Sequence, residues 1–185
     1  MGPLWFVIAL VGVVLAFAIV GYNKLVRMRQ LTRNSWSDVD VYLKRRAELI
    51  PNLVASVQAY ATHEQGTLVA TTEARTALAQ ARSSITARAD AERELGERIG
   101  QVLMLAERYP ELKAQDNFLE LQRSLSETEK LIAHARQYYN ACVRDYNTLI
   151  EAFPSNVMAS VGGFKHAEFF QVDDAWEREA PKIGE

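Results

Sequence analysis

Leu4 to Tyr22 reads LWFVIALVGVVLAFAIVGY, 19 residues without a charge, and Lys24, Arg27, Arg29 and Arg33 follow directly. At 1.5 Å per residue such a run makes a helix about 28 Å long, close to the hydrocarbon thickness of a bilayer. It is apolar all round rather than along one stripe, as a lipid-facing helix has to be. Ala16-Phe17-Ala18 has the look of a small-x-small cleavage site. The run is nevertheless longer than a signal-peptide core, and no positive charge precedes it. A retained single-span anchor over 4–22 is therefore expected. The basic residues on its C-terminal side place the rest of the chain in the cytoplasm, by the excess of Lys and Arg that marks cytoplasmic flanks.

Outward from the anchor, apolar residues recur at alternating steps of three and four. One register runs Trp36, Val39, Leu43, Arg46, Ile50, Leu53, Val57, Tyr60. A second runs Thr71, Ala74, Leu78, Ala81, Ile85, Arg88, Glu92, Leu95, Ile99, Val102, Ala106. The third runs Phe118, Leu121, Leu125, Thr128, Ile132, Ala135, Tyr139, Cys142, Tyr146, Leu149, Phe153. This is the seam of left-handed helix packing, and no two-residue alternation competes with it before residue 160. The spacing predicts an all-α protein: the anchor continues into an antiparallel up-down-up bundle of three long helices, over 23–65, 67–109 and 116–153. Gly66 and Thr67 suit the first break, Tyr109-Pro110 the second, and Asp116 can cap the third helix. Pro51 should kink the first helix without ending it, because the register runs through it. On this topology the Pro110–Gln115 turn returns to the bilayer and the C-terminal tail begins about 60 Å away. The domains are then the anchor 4–22, a cytoplasmic helical bundle 23–160, and an aromatic then acidic tail 161–185 that loses order beyond Val172.

The 185 residues carry 21 basic and 23 acidic side chains, so no overall field favours nucleic acid. The basic residues beside the anchor answer to topology and anionic headgroups. Cys142 is the only cysteine, which excludes an intramolecular disulfide. It falls in a helical seam with no flanking base to activate it and reads as a small buried hydrophobe. His63-Glu64 starts like a zinc-protease motif, but Thr67 stands where the second histidine belongs. His134 and His166 have no partner at ligand spacing. No metal, no cofactor and no catalytic residue are expected.

Several blocks together resemble the LemA family. They are Tyr22-Asn23-Lys24-Leu25-Val26, Trp36, Leu43-Lys44-Arg45-Arg46 and Leu49-Ile50-Pro51-Asn52-Leu53-Val54. Tyr60-Ala61-Thr62-His63-Glu64, Tyr109-Pro110-Glu111-Leu112-Lys113 and Phe118-Leu119-Glu120-Leu121-Gln122 follow in order. Tyr139-Asn140, Tyr146-Asn147, Phe153-Pro154-Ser155-Asn156 and Gly163-Phe164 complete the series. The stretch from Ser83 to Glu94 departs most from the pattern. The resemblance implies a bacterial membrane-anchored helical-bundle protein with no established enzymatic activity; with the flanking charges, a single pass through the inner membrane with the N-terminus outside is expected.

Some residues stand out from this frame as candidate contacts. Arg46, Arg88 and Glu92 occupy seam positions, where they either specify helix pairing or snorkel to water. Lys44-Arg45-Arg46 forms a basic cluster able to meet an acidic surface. Phe164, Phe169 and Phe170 either cap the bundle in cis or dock on a partner. Extra apolar residues beside the seams (Leu49, Val54, Ala61, Leu119, Leu131, Tyr138, Val143) either widen the internal seam or serve a homo-oligomer, which is the expected state. The expected role is a non-enzymatic scaffold that self-associates through its bundle and tail in the lipid bilayer. The alternative is an accessory subunit binding another envelope protein, such as a membrane protease or transport system.

Overall fold

The apolar stretch and the first amphipathic register form one helix, α1 (Gly2–Gln58, 57 residues). A computed structural model describes residues 2–61, 63–81 and 84–171 of the chain. After α1 come α2 (Gln65–Gln80), α3 (Ile85–Ala106), the single turn α4 (Pro110–Lys113), α5 (Asp116–Glu151) and α6 (Ser155–Val161). No strand occurs among the described residues. The protein is all-α, with one long apolar N-terminal helix followed by further helices, as the spacing predicts. The contacts divide it into two compact units, Met1–Val39 with Ala135–Glu168, and Asp40–His134 with Phe169–Glu185.

In the second unit the expected helix over 67–109 is two helices. Ser84 stops the first register from running on: it is extended (φ −152, ψ 163) and its side chain accepts from Ala87 N at 3.0 Å, capping α3. Ion pairs and grooves then give the direction of each helix against α1. Arg88 meets Asp40 and Glu92 meets Arg46, so α3 runs parallel to α1. Arg75 reaches Ala47, and Gln65, Leu68 and Thr72 share a groove with Val54 and Gln58, so α2 runs antiparallel. Glu129 meets Arg46, and Asn117 and Leu121 share a groove with Asn52 and Ser56, so α5 is antiparallel too. The unit is an up-down-up-down bundle of four helices. The apolar seam survives the reversal, because Leu78 lies on one side of the break and Leu95, Ile99 and Val102 on the other, all buried.

Other local expectations shift with it. Gly66 does not end the first helix; α1 stops at Gln58, and Gly66 lies inside α2, whose start at Glu64 has no side-chain cap. The Pro110–Gln115 turn, expected at the bilayer, clusters through Leu112 with Val57 in the last turn of α1 and with Ala61 just after it. Pro51 sits inside an uninterrupted α1. Its nitrogen cannot donate to the carbonyl of Ala47, and Arg75 Nε donates to that oxygen instead, at 2.9 Å. The predicted core residues Leu43, Ile50, Leu78, Ile99, Leu125, Ile132 and Tyr146 are all buried, as is Cys142.

In the first unit α1 and α5 pack antiparallel. The Trp36 and Tyr139 rings lie 5.3 Å apart, and Thr32 Oγ1 lies 3.4 Å from the Cys142 carbonyl oxygen. The chain then turns at Phe153-Pro154-Ser155, where Ser155 Oγ is 2.6 Å from Leu149 O and 2.9 Å from Ala152 O. That hydroxyl serves the Leu149 carbonyl at the helix end, and it shares the Ala152 carbonyl with Asn156 N–H, which donates to it at 2.8 Å. The tail does not begin far from the anchor. Phe164 packs on Tyr22, because the additional reversal between α2 and α3 sends α5 back along α1. The expected loss of order beyond Val172 falls outside the described residues.

Candidate functional site

Two clusters of side chains carry chemistry beyond helix packing. The first gathers where the tail meets the end of the apolar stretch. Helix α6 closes with Gly163 N–H donating to Ser160 O (3.3 Å) and Phe164 N–H to Ala159 O (3.0 Å). This paired closure needs a left-handed residue, and Gly163 supplies it with φ +63. It swings Phe164 back over Ala159 into a cluster with Leu25, Tyr146 and Ile150. Tyr22 meets the Phe164 ring edge-on at 5.6 Å, and Arg29 stacks its guanidinium 4.8 Å from the ring centroid. Gly162 is needed for space, since a Cβ there would stand 2.5 Å from Phe164 Cε2.

The extended segment after Phe164 has no secondary structure to satisfy its backbone, and α5 provides partners. Asn147 Nδ2 donates to Ala167 O at 3.0 Å, while Ala167 N–H donates to Asn147 Oδ1 at 2.9 Å. Tyr139 O–H donates to Glu168 O at 2.7 Å. Burial, and then the Glu168 carboxylate, push the Tyr139 phenol up to about 12. Tyr146 is also raised by burial, against the opposing pull of Arg29 and Arg33. His166 and Glu151 pair on the surface at 2.9 Å.

The second cluster lies inside the four-helix unit. Buried Arg46 of α1 pairs with Glu92 of α3 at 2.6 Å and with Glu129 of α5 at 2.9 Å, so one guanidinium joins three helices. Buried Arg88 of α3 pairs with Asp40 of α1 at 2.6 Å and donates to Leu78 O, near the end of α2, at 3.2 Å. The Nε–H groups of Arg46 and Arg88 are buried without an acceptor. Guanidiniums this dry persist when their carboxylates are close, and losing either partner would leave a buried charge uncompensated. They do not snorkel.

The residues singled out in the sequence fall in different surroundings. Lys44-Arg45-Arg46 is not one exposed basic face. Lys44 is exposed and paired with Asp40 at 2.6 Å, Arg45 is exposed, and Arg46 is consumed inside. Phe164 and Phe170 are buried within the chain, and Phe169 is 38% exposed. Among the described residues, no three His, Cys, Asp or Glu side chains gather as a metal cluster. Asp40, Arg75, Glu129 and Asn147 do not stand out in the spacing. Asp40 and Glu129 are legible in sequence only as acids with no known partner. Arg75 carries no signal there, because the carbonyl it serves is orphaned by a proline on another helix.

An apolar helix that runs on into amphipathic helices, with an aromatic tail folded onto Tyr22 at its end, defines a class of helical proteins with a candidate membrane span. The LemA family pattern matches residues 35–184, and the chain belongs to that family. Magnetosome protein MamQ 2 of Paramagnetospirillum magneticum is similar at 29% identity over 182 residues, 85% of this chain and 67% of the relative. Magnetosome protein MamQ of Magnetospirillum gryphiswaldense is 26% identical over 174 residues, 80% of this chain and 64% of the relative. Protein LemA of Metamycoplasma hominis is 24% identical over 152 residues, 82% and 69% respectively.

Proposed function

We propose that the chain is a non-enzymatic scaffold or interaction protein, anchored in a bacterial inner membrane, that self-associates in the membrane plane. The observation carrying this reading is the first part of α1, an apolar stretch that none of the described residues buries. Leu4, Trp5, Phe6, Leu10 and Phe17 all stand exposed, a surface that water tolerates poorly and lipid covers. Lys24 and Arg27, exposed just beyond it, support a cytoplasmic bundle and an outside N-terminus. The buried charges of the bundle are engaged in joining helices, which suits a structural role. Anchored copies share one orientation and two dimensions, which raises their effective concentration for side-by-side contact. Val69, Met104 and Tyr138 are exposed apolar side chains open to such contact. With Phe164 and Phe170 turned inward, the exposed aromatic of the described tail is Phe169.

Full-length protein in mild detergent, sized by light scattering, should show a mass that is a multiple of the 20.8 kDa chain. Val69→Cys and Met104→Cys chains should also cross-link between copies in native membranes. A single-chain mass at every concentration, with no cross-link in membranes, would sink the self-association reading.

A further inference from the structure

Phe153, at the turn between α5 and α6, is 84% exposed, Val161 is 84% exposed and Val157 is 48% exposed. Val157 and Val161 are four residues apart on α6 and share one side of it, opposite the buried Ala159. None of the described residues covers them, and a phenylalanine this exposed is the kind of apolar surface that marks a contact. Their position along α1 is set by two contacts. A Cβ at Gly21 would lie 3.7 Å from Met158 Cγ, and the Phe164 ring packs on Tyr22. Gly21 and Tyr22 are the last residues of the apolar stretch, the level at which a span passes from acyl chains to headgroups and at which tyrosine concentrates.

We propose that Phe153, Val157 and Val161 form a second membrane contact, seated in the interfacial layer of the same bilayer that α1 enters. The proposal rests on reading Leu4–Tyr22 as a bilayer span. Three things favour the bilayer as the occupant. The patch is continuous in level with the apolar helix. Short amphipathic elements seat their apolar side at the boundary of headgroup and acyl chain. Exposed Lys24, Arg27 and Lys165 lie in the same part of the fold, suited to anionic headgroups, while the nearby Glu151 carboxylate is occupied by His166. Seated this way, α6 and the tail clasp behind it fix how the end of α5 meets the membrane surface, a constraint that a single spanning helix free to rotate and tilt does not impose.

The test uses the full-length chain in vesicles of phosphatidylcholine and phosphatidylglycerol, carrying a nitroxide at Phe153→Cys, Val157→Cys or Val161→Cys in a Cys142→Ala background. If Cys142→Ala does not fold, the buried Cys142 stays and the parent chain's labelling is subtracted. Collision with dissolved oxygen against a water-soluble nickel chelate reads depth. All three sites should be shielded several-fold from the chelate relative to Glu94→Cys on exposed α3, and should stay shielded in nanodiscs holding one chain each. Chelate access equal to that at Glu94→Cys would overturn the proposal. Shielding that vanishes at one chain per disc would also overturn it, and would assign the patch to a second copy. A label at Val11→Cys separates the two readings. If Val11 is in lipid and the α6 sites are in water, only the second contact fails; if Val11 is in water, the anchor fails and the proposal falls with it.

Discussion

The two units of the chain are held together by different physics. The four-helix unit has a long apolar seam, from Ile50, Leu53 and Val57 through Leu95, Ile99 and Val102 to Phe118 and Leu125, with buried guanidiniums set into it. The unit that holds the apolar stretch has a smaller cluster of Leu25, Tyr146, Ile150, Ala159 and Phe164, and relies on hydrogen bonds from Asn147 and Tyr139 to the tail. Four helices satisfy their own backbones, so polar groups at their seams are free to choose partners. Two long helices leave a side open, and the chain covers it with an irregular segment whose backbone must be satisfied from outside. Buried charge therefore joins helices in one unit, while side-chain-to-backbone bonds hold an extended strap in the other.

The largest effect expected from breaking this contrast is at Arg46. Arg46→Ala leaves Glu92 buried without its countercharge and should cost about 3–5 kcal/mol in denaturant unfolding. Replacing both as Arg46→Met with Glu92→Leu should recover most of that loss, since apolar packing substitutes well for a buried pair. An Arg46→Ala chain as stable as the parent would mean that the ions choose nothing.

A smaller and more local effect is expected at the glycines before the strap. A Cβ at Gly163 would meet nothing within 4 Å, but the residue holds φ +63. Gly163→Ala therefore acts through backbone strain, about 1–2 kcal/mol. Gly162→Ala acts through collision with the Phe164 ring. Both should speed amide exchange over 164–171 while leaving α2 and α3 unchanged. Faster exchange throughout α2 and α3 in either variant would erase the distinction between the units.

The smallest effect is expected at Tyr139. Removing its hydroxyl in Tyr139→Phe should cost about 0.5–1.5 kcal/mol, the net worth of one hydrogen bond. The pH dependence has a definite sign. The folded phenol is raised from 10.0 to about 12, so the folded state holds its proton more tightly than the unfolded state does. Its stabilisation is complete below pH 10 and is lost as pH rises from there towards 12. Melting curves across that window should fall more steeply for the parent than for Tyr139→Phe, and equal slopes would show that the hydroxyl does not hold the strap.

Why one helix was expected where there are two is visible at Ala81 and Ser84. The 3-4 spacing records which face is buried, and Leu78 and Leu95 are buried whether the chain runs on or doubles back. Ser84 carried the stop signal as a helix cap, but the unbroken register concealed it. The buried Arg46, Arg88 and Glu92 were legible as polar residues in apolar seams. Their acceptors Asp40 and Glu129 were not, because those sit on other helices, a distance along the chain that no local pattern encodes.

The sequence by itself determined the all-α class, the apolar helix and the residues that line the seams, because helical periodicity and hydrophobicity are local properties of the chain. The sequence also carried the family, through short blocks such as Tyr146-Asn147 and Gly163-Phe164 whose spacing survives in linear order. Tertiary structure alone decided the direction of α3, the return of α5 along α1, and the inward turn of Phe164 onto Tyr22 and Arg29. Each of these depends on which surfaces meet, and periodic burial is the same for a helix running in either direction.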